Sequence, residues 1–147
     1  MRIMGLDYGD RTIGVAVSDP LGYTAQGLCV MRHEGGKSLK QRVRELADLV
    51  REREIGAVVL GYPKMMNNTE GEQCRKTLDF KRKLEAALGL GRVPVYLADE
   101  RLTTASANRV LTEGGLSRRE RGKYVDSVAA ALILQAYLDY NKKDRGD

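Results

Sequence analysis

The chain has 147 residues, of which 42% are hydrophobic and 31% charged, a balance that fits one globular domain and excludes a disordered or fibrous protein. Its longest apolar stretch, Val128 to Ala136, is far shorter than the roughly 20 residues that a bilayer span needs, so we expect neither a membrane span nor a signal peptide. The net charge of +5 favours a polyanionic partner without requiring one.

The first third of the chain has the pattern of a β-meander. Three short apolar runs, Arg2 to Asp7, Thr12 to Ser18 and roughly Gly27 to Arg32, are separated by Gly, Asp and Pro residues that favour turns. The apolar spacing then becomes helical. It predicts a helix from about Ser38, as the N-cap, to Glu54.

The remainder alternates between strand and helix patterns. Ala57 to Gly61 is a continuous apolar run, which is typical of a strand buried on both faces. Thr69 and Glu72 have capping-box spacing and begin a helix that ends near Leu88. Three further elements are predicted: a strand at Val93 to Ala98 and helices at Thr103 to Glu113 and about Lys123 to Asn141.

This order of elements predicts an α/β fold in a single domain, residues 1–147. The sheet is expected to be mixed and five-stranded, because an antiparallel β1-β2-β3 meander is followed by strands joined through helices, which are parallel. Helices flank the sheet. The tail, residues 142–147, is expected to fray.

Acidic residues stand where two apolar strands end. Asp7 ends the first strand beside Gly5 and Gly9, which allow other groups to approach the backbone closely. Asp99 and Glu100 end the strand that precedes them. Because neighbouring residues of a strand face opposite sides, only one of this pair can share a face with Asp7, and the spacing alone allows either.

A third acid, Asp126, lies on the same helical stripe as Ala129, Ala130 and Ile133. A carboxylate on such an apolar face costs several kcal/mol unless a cation meets it. Three converging carboxylates therefore predict a divalent ion, and oxygen ligands suit Mg²⁺ or Mn²⁺ better than zinc.

Each acid also has a purely structural interpretation. Asp126, or Ser127, could be the N-cap of the last helix. Asp7 could be a turn residue. Asp99 and Glu100 could begin the following helix. None of these alternatives explains why the acids end elements that are expected to be neighbours.

The cysteines and the histidine do not suggest a second site. Cys29 and Cys74 are far apart and lack metal-ligand spacing, which predicts a reduced protein of the cytoplasm. His33 follows Cys29 by four positions, but no further ligand lies near it in the sequence. We therefore expect a histidine at the surface or at the end of a strand.

Four strings occur in a fixed order over nearly the whole chain. They are Gly5 to Gly9 with Ile13 to Asp19, Gly61 to Pro63 with Asn68 to Gly71, Asp99 to Thr104, and Val125 to Ala130 continuing through Leu138. In this order they resemble the YqgF/RuvX family of RNase H-like Holliday junction resolvases and pre-16S ribosomal RNA nucleases.

The resemblance implies an RNase H-like fold with Asp7, Glu100 and Asp126 as the catalytic and metal-binding triad, and the choice of Glu100 over Asp99 depends on it. Loop residues with a structural role are expected at Gly9, Gly14, Gly61 and Pro63. The family usually has Thr at position 10 and commonly Gly at position 68. Here Asp10 adds negative charge near the metal, and Asn68 tolerates the same backbone as Gly.

The predicted activity is hydrolysis of phosphodiester bonds by Mg²⁺ or Mn²⁺, with two ions about 4 Å apart. Its substrate would be structured RNA, such as the 5′ end of pre-16S rRNA, or branched DNA resembling a Holliday junction, bound by a monomer or weak homodimer. Candidate phosphate contacts lie in the loop and first turn before Asp126 and, more weakly, in strand-end loops. They are Arg118, Arg119, Arg121 and Lys123 in the first group, and Arg11, Lys64 and Arg101 in the second.

Other interpretations use the same residues. The Arg118 to Lys123 cluster could be a solvated loop. The chain could bind nucleic acid or ribosomes without hydrolysis, although clustered carboxylates do not help a phosphate-binding protein. It could also be a nucleotide-phosphate module of the actin-like kinase type. Those enzymes close two domains over ATP, and this chain is long enough for one.

Overall fold

The computed structural model describes residues 1–62, 71–89, 91–99 and 118–144. Within the last segment it describes the side chains of residues 128–141. The predicted helix at Thr103 to Glu113, the predicted cap at Thr69 and the end of the tail, residues 145–147, lie outside the described residues.

The described residues form five strands and three helices. In chain order these are β1 Arg2–Tyr8, β2 Thr12–Ser18, β3 Ala25–Arg32, α1 Gly36–Glu52, β4 Ile55–Tyr62, α2 Gly71–Leu88, β5 Val95–Asp99 and α3 Arg118–Asp144. The strands form one sheet in the order β3-β2-β1-β4-β5. β2 is antiparallel to both β1 and β3, and β4 is parallel to both β1 and β5, which confirms the predicted mixed sheet.

Short turns produce the antiparallel half of the sheet. In the β1–β2 turn the Gly9 N–H donates to the Thr12 carbonyl at 2.8 Å. In the β2–β3 turn the Asp19 carboxylate accepts the backbone N–H groups of Tyr23 and Thr24, both at 2.7 Å. The bond from Thr24 contributes most to lowering the pKa of Asp19. Asp19 therefore stabilises the β2–β3 turn.

The two faces of the sheet are covered by different helices. Met4 and Leu6 of β1 are fully buried in the larger core, which α1 and α2 share. Ile3, on the other face, packs with Ala130 and Leu134 of α3 in a smaller core. Burial of each large apolar side chain stabilises the fold by about 1.5–3 kcal/mol, so both faces contribute to stability.

Helix α1 begins two residues before the predicted N-cap. Gly35 is the N-cap without a side-chain cap bond, and Gly35 and Gly36 have positive φ angles of 77° and 53°. The Ser38 hydroxyl accepts the Glu34 N–H at 2.7 Å and donates to the Gly35 carbonyl at 3.0 Å. Ser38 is thus a residue of the first helical turn and not the N-cap. The helix starts earlier than predicted because Gly35 and Gly36 can adopt the positive φ angles that its first residues need.

Helix α3 is longer than predicted at both ends. It begins at Arg118, so the cluster from Arg118 to Lys123 is helical and the loop predicted there is wrong. It reaches Asp144, so residues 142–144 of the expected frayed tail are helical. The charged turns at both ends lack apolar periodicity and so gave no helical signal. Among the described residues, no helix is long and apolar enough to span a membrane.

Gly5 is the point at which α3 approaches β1 most closely. A Cβ atom placed on Gly5 would lie 2.7 Å from the Leu134 Cβ and 3.0 Å from the Ala130 carbonyl oxygen. Neither atom is the flexible end of a side chain, so any side chain at position 5 must move the helix. The absence of a side chain at Gly5 therefore sets the distance between α3 and the sheet.

We expect Gly5→Ala to lower the free energy of unfolding by about 1–3 kcal/mol, because overpacking exceeds the small entropic gain of replacing glycine. Gly71→Ala is the control, since a Cβ there meets nothing within 4 Å. That variant should lose no stability and could gain up to about 1 kcal/mol. Urea unfolding of both variants measures the difference, and equal stability would show that α3 does not depend on Gly5.

Candidate active site at the carboxyl end of β1

Asp7 lies near the end of β1, half-buried, on the face that α3 covers. Residues two apart on a strand share a face, so Asp7 follows Gly5 on that side. Asp7 is paired with Gly14 of β2 within the ladder and is therefore a strand residue, not a turn residue. Its backbone position is fixed by strands on both sides.

Two glycines flank Asp7 on the neighbouring strands. Gly14 is its direct partner on β2, and Gly61 follows Leu60, the β4 partner of Leu6. Gly14 and Gly61 are thus strand residues, and their prediction as loop residues is wrong, whereas Gly9 does lie in the β1–β2 turn. Pro63 lies outside the described residues. Neither flanking glycine therefore places a Cβ beside Asp7.

The described part of β5 separates Asp99 from Asp7. The Tyr96 ring stacks on Tyr137 of α3 at 6.0 Å, and Ala98 packs against the smaller core, so the even-numbered residues of β5 face α3. Asp99 is paired with Tyr62 at the next position and belongs to the opposite face. Asp99, the alternative to Glu100 as a metal ligand, therefore lies on the face of the sheet opposite to Asp7. Glu100 and Arg101 lie outside the described residues.

Asp126 lies well inside α3. The helix begins at Arg118, more than two turns earlier, so neither Asp126 nor Ser127 is its N-cap and that alternative is wrong. Helical periodicity puts position 126 on the same face as Ala130 and Ile133, which are 0% and 2% exposed. Of the side chain of Asp126 itself the structure gives no description.

The direction of α3 relative to β1 follows from two contacts. The Gln135 side chain accepts the Ala25 N–H at 2.9 Å and donates to the Tyr23 carbonyl at 3.0 Å, at the end of the sheet where β1 begins. Ala130, earlier in the helix, lies over Gly5, further along β1. Towards its N-terminus, α3 therefore runs in the direction of Asp7.

Within the residues that the structure describes, no three His, Cys, Asp or Glu side chains come together in a way that could hold a metal ion. Of the three predicted ligands, Asp7 is the one whose side chain is described. Of the predicted basic phosphate contacts, Arg11 has a described side chain, which is exposed in the β1–β2 turn. The structure does not describe the side chains of Arg118, Arg119, Arg121 and Lys123, and Lys64 lies outside the described residues.

Lys76 of α2 pairs with Asp10, a contact that the sequence did not reveal. The Lys76 Nζ lies 3.2 Å from the Asp10 carboxylate, and this hydrogen bond raises the pKa of the lysine. Glu72 lies at 3.6 Å from the same Nζ. The additional negative charge at position 10 is therefore balanced by a lysine from another element.

His33 anchors the turn that follows Asp7. It lies at the end of β3 as predicted, but it is 4% exposed and therefore not a surface residue. Its Nδ1 accepts the Gly35 N–H at 3.2 Å, and its Nε2 bonds with the Gly9 carbonyl at 2.8 Å. The ring stacks on Tyr8 at 5.5 Å, and Tyr8 stacks on Phe80 at 4.6 Å. Burial is the main cause that raises the pKa of the Tyr8 hydroxyl.

The cysteines take no part in this site. Cys29 and Cys74 are not joined in a disulfide, and Cys74 is buried. Burial raises the pKa of the Cys29 thiol, which favours its unreactive protonated form.

Comparison with known sequences places the chain in a family. The RuvX family model, described as Holliday junction resolvase, matches residues 1–140. A protein of Agathobacter rectalis named "Putative pre-16S rRNA nuclease" is 47% identical over 145 residues, which are 99% of each chain. A protein of the same name from Moorella thermoacetica is 50% identical over 139 residues, 95% of each chain.

Comparison with solved structures confirms the RNase H-like fold. RuvC of T. thermophilus, solved with a Holliday junction substrate, superposes with a TM-score of 0.61 at 18% identity, over 95% of this chain and 96% of that one. The fowlpox virus Holliday junction resolvase gives 0.55 at 16% identity, over 95% and 99%. At such identities the likeness establishes the fold alone. With the family match, however, the conclusion is plain: the chain belongs to the RuvX family of nucleases.

Proposed function

We propose that the chain hydrolyses phosphodiester bonds of nucleic acid with Mg²⁺ or Mn²⁺ held by Asp7, Glu100 and Asp126. One observation supports this proposal above the others. Asp7 lies between two glycine-bearing strands on the face of α3, next to the point where Gly5 allows that helix to approach β1.

The spacing of β1 and α3 supports pairing Asp7 with Asp126. Asp7 is about 6.6 Å beyond Gly5 along the strand, and position 126 is about 6 Å beyond Ala130 along the helix. Since Ala130 lies over Gly5 and the helix runs towards Asp7, similar steps along both elements end at the same level of the sheet. An acid inside the helix and an acid on the strand are thereby expected to meet.

The alternation of β5 supports Glu100 over Asp99. Tyr96 and Ala98 belong to the α3 face, so a further residue of the same period, position 100, would share the face of Asp7. This argument depends on the register of β5 and is independent of the family resemblance.

The residues fit a hard divalent ion. Three carboxylates supply oxygen ligands only, and Gly14 and Gly61 add no side chain beside Asp7 that would compete for a metal-bound water or a phosphate. When bound, such ions supply an activated water and stabilise charge on the leaving oxygen. The chain's own contribution is to fix the carboxylates on a rigid sheet and helix and to keep the site open to substrate.

The basic residues at the start of α3 are proposed to hold the substrate, and periodicity separates them. Arg119 and Lys123 precede Asp126 by seven and three residues and so share its helical face, whereas Arg121 belongs to the opposite side. We assign the phosphate contacts near the metal to Arg119 and Lys123. Arg118, at the flank, and Arg121 would act through general positive charge.

The more similar relatives favour RNA as the substrate. The proteins that share 47% and 50% identity with this chain carry the name of a pre-16S rRNA nuclease, while the resolvases that share its fold are 18% and 16% identical. We therefore propose processing of pre-16S rRNA in the cytoplasm, where Cys29 and Cys74, which form no disulfide, would stay reduced. Cleavage of branched DNA is the second candidate, because the family model bears that description.

Glu100→Gln and Asp99→Asn form a matched pair of variants. Both remove one negative charge, but only position 100 is expected on the metal face. Glu100→Gln should reduce cleavage of a pre-16S rRNA fragment in Mn²⁺ by 100-fold or more, about 3 kcal/mol of transition-state stabilisation. Asp99→Asn should stay within a few-fold of the unaltered chain. The reverse order of effects would assign the ligand to Asp99.

Metal binding can be measured without substrate. Mn²⁺ at about 100 times its dissociation constant should stabilise the chain by about 2.7 kcal/mol, seen as a higher Tm. Asp7→Asn should lose most of this shift and, without metal, should melt no lower than the unaltered chain, because carboxylate repulsion is relieved. Asp48→Asn, on the exposed surface of α1, is the control. An unchanged Mn²⁺ shift in Asp7→Asn would remove this residue from the metal site.

A further inference from the structure

Three arginines surround an open depression at the end of the sheet where Asp7 lies. Its volume is about 830 Å³, and Arg11, Arg32 and Arg42 line it together with Asp10, His33, Glu34 and Ser38. We call the three arginines the arginine surface. It lies on the β2–β3 side of Asp7, away from β5, and extends around the β1–β2 turn to α1 on the opposite face of the sheet.

The backbone beneath the arginine surface is held in place. Arg11 lies in the β1–β2 turn, and its carbonyl accepts the His33 N–H at 2.9 Å. Arg32 ends β3, where it pairs with Thr12. Arg42 projects from α1, whose start is bound to the same His33 through Gly35. One buried histidine thus connects the three elements that carry the arginines.

The depression keeps one net positive charge after its ion pairs are considered, from Arg11 and Arg32 against Glu34. Lys76 balances Asp10 at 3.2 Å, while Arg42 bonds both oxygens of Glu45 at 2.7 and 2.6 Å. In the described part of the chain, the buried Nε of Arg42 has no hydrogen-bond partner, and no ion pair involves Arg11 or Arg32. Arg11 and Arg32 are exposed, so two guanidinium groups are available to an anion.

We propose that the arginine surface binds the phosphate backbone of a nucleic acid strand that continues from Asp7 across the β1–β2 turn. This inference rests on the proposed function and extends it by Arg32, while Arg42 remains paired with Glu45. Two strand spacings and two residues along β3 put the Cα of Arg32 about 12 Å from that of Asp7. Along the axis of a duplex, which rises about 3.4 Å per nucleotide, the contact would fall three to four nucleotides from the scissile bond.

Nucleic acid suits this surface better than an acidic protein does. The described residues that line it all have polar or charged side chains, whereas the anchoring residues of a protein partner are mostly large aromatic side chains that need a well-packed pocket. Guanidinium groups in contrast match the bidentate geometry of phosphate oxygens. Contacts from arginines to phosphate oxygens carry no sequence information, which predicts binding that is independent of sequence.

The salt dependence of binding tests this proposal. We would measure affinity for a fluorescent single-stranded RNA and for a duplex by anisotropy in EDTA, so that no cleavage occurs, at several salt concentrations. Log K falls as log salt rises, and Arg32→Ala should make this slope less steep by about 0.7 for the single strand or 0.9 for the duplex. The double variant, Arg11→Ala with Arg32→Ala, should make the slope less steep by about twice as much.

Arg92→Ala is the matched control. Arg92 is exposed in the turn before β5, at the end of the sheet opposite Asp7, and it has no ion pair in the described ranges. Its replacement should leave the slope unchanged. Equal slopes for Arg32→Ala and the unaltered chain, or an equal loss in Arg92→Ala, would overturn the proposal. If the unaltered chain binds without ever cleaving in Mn²⁺, while Arg32→Ala still lowers the slope, hydrolysis fails and the arginine surface stands.

Discussion

The close packing of α3 against β1 at Gly5 is the constraint on which the site depends. A methyl group at that position would meet the Leu134 Cβ at 2.7 Å, so the helix can lie where it does only over a residue without a side chain. The same contact fixes the height of the helix over the sheet and its register along β1. In the proposed site, Asp126 of α3 would reach Asp7 of β1 only if the height and the register of the helix are both set. The distance between two such carboxylates would matter because a shared ion has to offset their repulsion.

Much of the fold could be predicted because its signals are local. Alternating apolar residues, short Gly and Asp turns and the buried run at Ala57 to Gly61 are sufficient for a mixed sheet with the observed strand directions. The position of Asp7 at the end of β1 followed from the same pattern. The role of glycine was harder to predict. Gly14 and Gly61 fall inside predicted strands but were also expected as loop residues, and they lie within strands beside Asp7, where the missing side chains matter more than backbone freedom.

The rest required contacts between residues distant in the sequence. Nothing local to Asp10 indicates that Lys76, in another element, balances its charge. His33 looked like an isolated residue, although its partners are backbone atoms of two separate turns. The start of α3 was placed too late because charged residues of its first turns carry no apolar period. Register in the sheet also decided what spacing could not, since Asp99 and Asp7 proved to lie on opposite faces.

The way His33 holds the β1–β2 turn has a consequence for how this loop can evolve. Its two bonds to the turn use main-chain carbonyls, those of Gly9 and Arg11, and none of the turn's side chains. The backbone conformation of the turn therefore does not depend on these bonds being made by any of its side chains. An acid can replace a hydroxyl residue at position 10 without distorting the path of the chain, provided that a counter-charge such as Lys76 accompanies it. The backbone around Asp7 can therefore stay the same whatever side chains the turn carries.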